Sequence, residues 1–453
     1  MRSIRVVLAV LACCTVCAAN GYAELQSKSP HEHSPEPAEK THAKEVFKPA
    51  EFFDEVWEII NNEFWDPNLN GVDWQDARRR YRPRALAARN HESFAVIVNQ
   101  MLAELKTSHT RYFAKWDQGY YGLQAVFKSA VLADVAAGQT SVLEQYLLDL
   151  RSSKSEPHRN GIGMVTKKIE DRHYVTAVLD SSPAEKAGIV LGDWIVEADG
   201  KPFHPIRSFE GKAGKQVRLT VQNNPSETSR HLIKVIPVDN NERELFENAS
   251  RDSVTIIEHK GHRFAYARLW WLSGLAMRYA FDSALNMAEQ SEGIIVDIRD
   301  GFGGGPPIEY VHSFLKGGLE TITVETTERD LEFKSTAGFN KPVVILINSG
   351  SRSGKELLAY YFKKIKTGIL VGERTAGYVV GGRQRPISEN SFLYYAACMI
   401  VINGKSIEGV GIEPDIEVRF DIRFAAGRDI QLERAKDEMV RLIKKMPNPT
   451  PIQ

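Results

Sequence analysis

Ser353 lies in Asn348-Ser349-Gly350-Ser351-Arg352-Ser353-Gly354-Lys355-Glu356, where an apolar run gives way to a helical pattern. A hydroxyl at such a turn is exposed. It also sits beside the unpaired N–H groups and positive dipole end of the new helix. A serine nucleophile there gains from stabilisation of a developing oxyanion. Taken alone, these residues read more simply as a Ser/Gly turn that caps a helix. A second turn bears on the choice: Ile294-Ile295-Val296-Asp297-Ile298-Arg299 runs into Asp300-Gly301-Phe302-Gly303-Gly304-Gly305-Pro306-Pro307. The loop lacks the Gly-Lys-Ser/Thr ending of a nucleotide loop and the spacing of a dinucleotide loop, so it is a weak phosphate site. Its bare amides (Gly303 or Gly304) can instead supply one oxyanion-hole N–H, with the amide of Gly354 as the second. There is no His-Glu-x-x-His and no paired cysteine beyond the first residues, so neither a metal nor a cofactor is implied.

The elements that must position these turns are legible from periodicity. Val343-Val344-Ile345-Leu346-Ile347 is a buried-strand run, and Leu357, Leu358, Tyr361, Phe362 and Ile365 then recur at helical spacing. Pro307 suits a first helical turn. Strands and helices alternate from about residue 255 to 418 in an α/β manner. A last helix over 430–445 carries Leu432, Ala435, Met439, Leu442 and Ile443 on one side, with Asp429 as its N-cap. Towards the N-terminus, Phe53, Val56, Trp57, Ile60 and Phe64 share one helical face, and Phe94, Ile97, Val98, Met101, Leu102 and Leu105 another. The second of these ends in Lys106-Thr107-Ser108-His109-Thr110, and a third helical stretch covers roughly 123–150. Between about 160 and 238, short β-type runs alternate with Gly/Pro/Asn turns.

The 453 residues suggest about three domains. Zero formal net charge, with no basic stripe, argues against nucleic acid as a partner. Residues 1–23 read as a secretory signal: Arg2 and Arg5, an apolar run from Val6, then a small-residue cleavage site. That run is too short for a membrane span. The expected location is therefore periplasmic or secreted, with lipid attachment through Cys13 as the alternative. Cys398 is the single cysteine left after the signal, so no intramolecular disulfide is available. Residues 24–49 read as a disordered linker in which His31 and His33 are ordinary polar residues. The division expected is 50–157 helical, 158–240 β-module, and 241–447 α/β core with its C-terminal helix.

The middle segment, with Ser182-Pro183-Ala184-Glu185-Lys186-Ala187-Gly188-Ile189 and Leu191-Gly192-Asp193-Trp194, resembles a PDZ domain of the bacterial protease type. Gly161-Ile162-Gly163-Met164 stands where that family keeps its carboxylate-binding loop, which implies capture of peptide C-termini. A purely structural β-module is the alternative. Four further motifs appear in order: Asp297-Ile298-Arg299 with its glycine loop, Ser353 with Glu356, Val371-Gly372-Glu373-Arg374-Thr375-Ala376-Gly377, and Ile407-Glu408-Gly409-Val410-Gly411-Ile412-Glu413-Pro414-Asp415. Together they resemble the tail-specific (C-terminal processing) and tricorn-core serine peptidases. The resemblance implies an α+β multidomain protein whose core is crotonase-like and spiral. It also implies a serine endopeptidase acting on peptides or proteins with Ser353 as nucleophile, and leaves the oligomeric state open. The tail-specific lysine is replaced by Tyr378. Lys355 points elsewhere around its helix and is expected to be a solvated first-turn residue. The tricorn branch uses histidine, and Thr107-Ser108-His109-Thr110 matches its place and pattern. The resemblance therefore implies His109 as base, oriented by Glu408 through Ser108. A histidine base predicts loss of activity as pH falls through roughly 6 to 7. Tyr378, Arg352 and Lys355 depart from the family pattern, and a non-catalytic binding protein on the same scaffold is the rival reading.

Overall fold

The computed structural model describes residues 4–7, 46–136, 157–305, 307–314, 320–325, 331–335, 338–401 and 406–446. Most of the signal and all but the last few residues of the linker read from the sequence lie outside these. Ile4–Val7 form a short strand parallel to Glu320–Glu325.

Three helices, Pro49–Glu63, Trp74–Leu86 and His91–Ala103, open the described chain. Asp73 caps the second by accepting from Asp76 N–H, and Asn90 caps the third by accepting from Ser93 N–H. The middle helix went unread in the sequence because WQDARRRYRPRAL has little apolar periodicity. It holds its place through Trp74, Ala77, Tyr81 and Ala85 on the buried side, and through ion pairs of Arg80 with Glu104 and of Arg82 with Asp54. The helical stretch expected over 123–150 is a helix at Gln118–Ala136, and its expected remainder lies outside the described residues.

The helical region is not a free-standing unit. Phe53, Ile60, Phe94 and Met101 share one apolar cluster with Tyr112, Leu393, Tyr395 and Ala396. Strand Arg111–Ala114 pairs antiparallel with Ser391–Met399, itself in a hairpin with Val380–Ser388. The turn carrying Ser108 and His109 is thus clamped between helix His91–Ala103 and a strand of the three-stranded sheet formed with Ser391–Met399 and Val380–Ser388.

The β-module is a sheet ordered Met164–Ile169, Arg172–Val178, Trp194–Ala198, Val217–Gln222, Arg230–Val235. Met164–Ile169 is its edge strand, and among the described residues no strand pairs with its outer side. Gly192 explains how the module is fastened. It has φ +87°, and a Cβ there would meet Ala425 N at 2.3 Å, so only glycine admits the segment that bonds back through Phe424 N–H to Gly192 O.

The core sheet runs Thr255–His259, His262–Arg268, Ile294–Asp297, Val343–Ile347, Ile369–Gly372, Ile416–Glu417, parallel after the first hairpin. Alternation places Ile294, Val296, Val343, Ile345 and Ile347 against Ala284, Phe281, Leu358 and Phe362 on one face. Ile295, Val344 and Leu346 meet Ala435 and Met439 of the last helix, Ile430–Ile443, on the other. Strands Ile294–Asp297 and Val343–Ile347 are parallel neighbours with Asp297 beside Leu346. The loops leaving their carboxyl ends must therefore meet, as in other open parallel sheets. The architecture is mixed α+β: a helical start, a PDZ-type sheet and an α/β core.

Candidate active site

Ser353 has φ 57° and ψ −124°, a backbone conformation that a non-glycine residue adopts only when its surroundings over-determine it. Its N–H donates to Tyr378 O at 2.9 Å and to Glu356 Oε2 at 3.1 Å. The Glu356 carboxylate is the clasp. It also accepts from Thr375 Oγ1–H, Gly377 N–H and Tyr378 N–H at 2.5 to 2.7 Å, and it is fully buried. Burial raises its pKa, and these hydrogen bonds oppose the rise. The strand-to-helix turn is further tied by Asn348, whose Oδ1 accepts from Asp300 N–H and Gly350 N–H. Ser351 is fully buried and its hydroxyl donates to Ile298 O. That removes the neighbouring serine as a reactive group.

The glycine loop lies directly on this turn. A Cβ at Gly303 would fall 2.3 Å from Ser353 Cβ and 2.9 Å from Gly354 N. Leu272 N–H donates to Gly303 O at 2.8 Å, and Gly305 N–H to Ser273 Oγ at 2.8 Å, so both ends of the loop are fixed. Among the described residues the N–H groups of Gly303, Gly304 and Gly354 have no partner. Ser273 and Leu272 had no motif to mark them in the sequence.

Lys355 corrects an expectation. It is fully buried and donates from Nζ to Asp300 O at 2.7 Å, bracing the loop from beneath. Burial first, and Arg268 second, hold its pKa well below the usual lysine range. The side chain follows the helix inwards because the glycine loop covers this first turn.

His109 comes from the helical region. Glu408 accepts from Ser108 N–H at 2.8 Å, from Ser108 Oγ–H at 3.0 Å and from Val379 N–H at 2.7 Å. Ser108 Oγ lies 3.0 Å from His109 Nδ1. The serine hydroxyl has one proton. If Glu408 receives it, the oxygen accepts from Nδ1–H, which leaves a lone pair on Nε2. Tyr394 packs against the imidazole, with ring centroids 5.1 Å apart. Burial first, then the Arg352 guanidinium, hold the His109 pKa down to about 3, so the titration expected near pH 6 to 7 moves well below it. No hydrogen bond joins Ser353 to His109.

Ser353, His109, Glu408, the glycine loop and the edge strand from Met164 line one cleft of about 1720 Å³. Of residues 161–164, Met164 lines the cleft, while Gly161 and Ile162 do not. Gly163 has φ +74° and packs on Ser182, and its carbonyl accepts from Leu179 N–H. Among the described residues no cluster of His, Cys, Asp or Glu is placed to hold a metal ion, and no helix is long and apolar enough to cross a membrane.

Comparison with known proteins gives the class. Residues 263–418 match the peptidase family S41 model, 48–103 the tricorn protease C1 domain and 174–223 the PDZ domain. Two tricorn protease homologues of Streptomyces coelicolor are 26% identical over 413 and 415 residues, 88% of this chain in each case. The chain spans about a third of their length. A carboxyl-terminal-processing protease of Synechocystis is 25% identical over 338 residues, 71% of this chain and 69% of that protein. The solved structure of mature CPAF complexed with lactacystin shares the fold, with TM-score 0.51 at 12% identity over 88% of this chain and 99% of that one. Residues 263–418 are thus similar to the peptidase family S41, and the flanking C1 and PDZ matches are similar to segments of tricorn-type and C-terminal-processing peptidases.

Proposed function

We propose that this chain is an extracytoplasmic serine endopeptidase in which Ser353 attacks the scissile carbonyl and His109 takes its proton. Glu408 and Ser108 orient the imidazole and hold the tautomer with Nε2 free. The amides of Gly303 or Gly304 and of Gly354 receive the oxyanion. His109 then protonates the leaving amine, and water completes the cycle through the same groups. The observation that carries this reading is the Glu408–Ser108–His109 chain, which faces the same cleft as the strained Ser353 turn. The missing Ser353–His109 bond is of the kind that tightens when substrate enters. The extracytoplasmic location rests on the signal-like first residues.

Peptide substrates would reach the site along the edge strand Met164–Ile169, with residues 161–164 receiving a free C-terminus. The test is labelling by a fluorophosphonate, which requires an activated hydroxyl. Wild type should be labelled at Ser353 and should cleave peptides, and a folded Ser353→Ala protein should do neither. Cleavage by that variant would overturn the assignment. The rival, a binding protein without catalysis, draws on the absent Ser353–His109 bond. It predicts a folded wild type that binds peptides and is never labelled.

A further inference from the structure

Four arginines line the cleft: Arg111, Arg159, Arg278 and Arg352. Three are committed to carboxylates of the chain itself, Arg111 to Asp117, Arg159 to Glu242 and Arg278 to Asp282. Among the described residues Arg352 makes no ion pair. Its Nε donates to Gly350 O at 3.3 Å, and its guanidinium lies 5.8 Å from the centroid of the Phe302 ring. The other N–H groups of the fork have no acceptor among the described residues. Asp300, an acid whose field Arg352 feels, is already bonded to Arg268 and Asn348. A partly buried guanidinium without a counter-ion carries a desolvation cost, and burial indeed disfavours its charged form. A planar fork with free donors is matched to a carboxylate, which it can bind in bidentate fashion. Its position is decisive: Arg352 directly precedes Ser353.

We propose that Arg352 is a specificity residue that receives the side-chain carboxylate of an Asp or Glu flanking the bond to be cut. The cleft would then select acidic segments of its substrates. This rests on the peptidase reading of Ser353. A side-chain carboxylate, rather than a chain terminus, follows from the course of the cleft. Its walls include Ser353, residues 164–168 of the edge strand, and Glu92 and Asn99 of the helical region, so it is lined well beyond a single chain-end pocket. A peptide lying along it places an internal residue beside Arg352.

The test uses peptides of one sequence, amidated at the C-terminus, with Glu or Gln flanking the cleaved bond. Wild type should favour Glu roughly 10- to 100-fold in kcat/KM, the range for a hydrogen-bonded charge pair. Arg352→Gln should bring the Glu/Gln ratio close to one, and Arg352→Lys should restore part of it. The same pair of peptides is titrated by fluorescence anisotropy against the Ser353→Ala protein, which needs no turnover. A labelled, active wild type with equal rates for Glu and Gln overturns the proposal and leaves the peptidase reading intact. Glu-selective binding by a wild type that no fluorophosphonate labels does the reverse. A preference seen only with a free C-terminal acid, whatever the flanking residue, assigns carboxylate recognition to the chain end and also overturns it. The wild-type ratio alone can refute the idea, so the test stands even where Arg352→Gln does not fold.

Discussion

The two halves of the cleft are built in different ways. The Ser353 turn and the glycine loop leave adjacent parallel strands of one sheet. They are locked by contacts within a short stretch of the core: Glu356 to Ser353, Thr375, Gly377 and Tyr378, Asn348 to Asp300, and Lys355 to Asp300. The His109 turn is about 250 residues away in sequence and reaches the cleft because strand Arg111–Ala114 joins the core hairpin and Glu408 grips Ser108. One half is over-determined by its own sheet. The other depends on the docking of the helical region, which shares an apolar cluster with the hairpin Val380–Met399.

The largest effect that tests this division is loss of the proposed base. His109→Ala is expected to reduce turnover by about 10³ or more, and fluorophosphonate labelling with it, while leaving core stability intact. Steady-state kinetics beside thermal melting would check it, and near-wild-type turnover would remove His109 from the mechanism. Within the core half, Gly303→Ala forces a methyl onto Ser353. A loss of roughly 10² to 10³ in kcat is expected, similar to removal of an oxyanion donor. An unchanged kcat would mean that the loop does not serve the oxyanion. Glu408→Gln tests the docked half more gently. It should cost about 10² in kcat, since the amide keeps one acceptor oxygen where two serve the Ser108 N–H, the Ser108 hydroxyl and the Val379 N–H, and the negative charge behind the Nδ1 tautomer is lost, with little change in melting temperature.

Lys355→Met separates bracing from chemistry. If Nζ serves only to hold Asp300 O, the variant should change the melting temperature by a few degrees and kcat/KM by less than about tenfold. A dead but stable Lys355→Met protein would transfer the base to lysine and undo the comparison. The smallest expected effect is in pH. Burial and Arg352 lower the His109 pKa from 6.5 to about 3, so the imidazole stays neutral through the range where an exposed histidine would titrate. The acid limb of kcat/KM should therefore lie well below pH 6. Arg352→Gln should move it upward. Stability follows the same sign: a depressed histidine pKa favours the fold above pH 6.5 and ceases to do so as pH falls towards 3. An acid limb at pH 6 to 7 in wild type would show an imidazole more open to solvent than this one.

The same division governs what could be read in advance. The strands, the Ser353 turn, the glycine loop and the PDZ-type sheet each carry short-range signals: apolar runs, period-2 alternation, and glycines where a backbone must approach another. Helix Trp74–Leu86 was missed because its buried side is only Trp74, Ala77, Tyr81 and Ala85 set among charged residues, too sparse a stripe to stand out. Lys355 was misjudged because side-chain direction on a first helical turn says nothing about what lies above it. Arg352 was visible in the sequence as a departure from the family pattern. That it alone of the cleft arginines pairs with no carboxylate among the described residues is a property of the assembled walls.

Sequence by itself determined which residues have the chemistry, in what order the modules follow, and which turns present bare amides, because hydroxyls, imidazoles and glycine backbones keep those properties wherever they are placed. Only the tertiary structure decided which of them share a cleft and in which direction burial moves their pKa values. Pairing across some 280 residues between Arg111–Ala114 and Ser391–Met399, and the removal of water around His109, Lys355 and Arg352, arise from packing between segments whose separation no local pattern encodes.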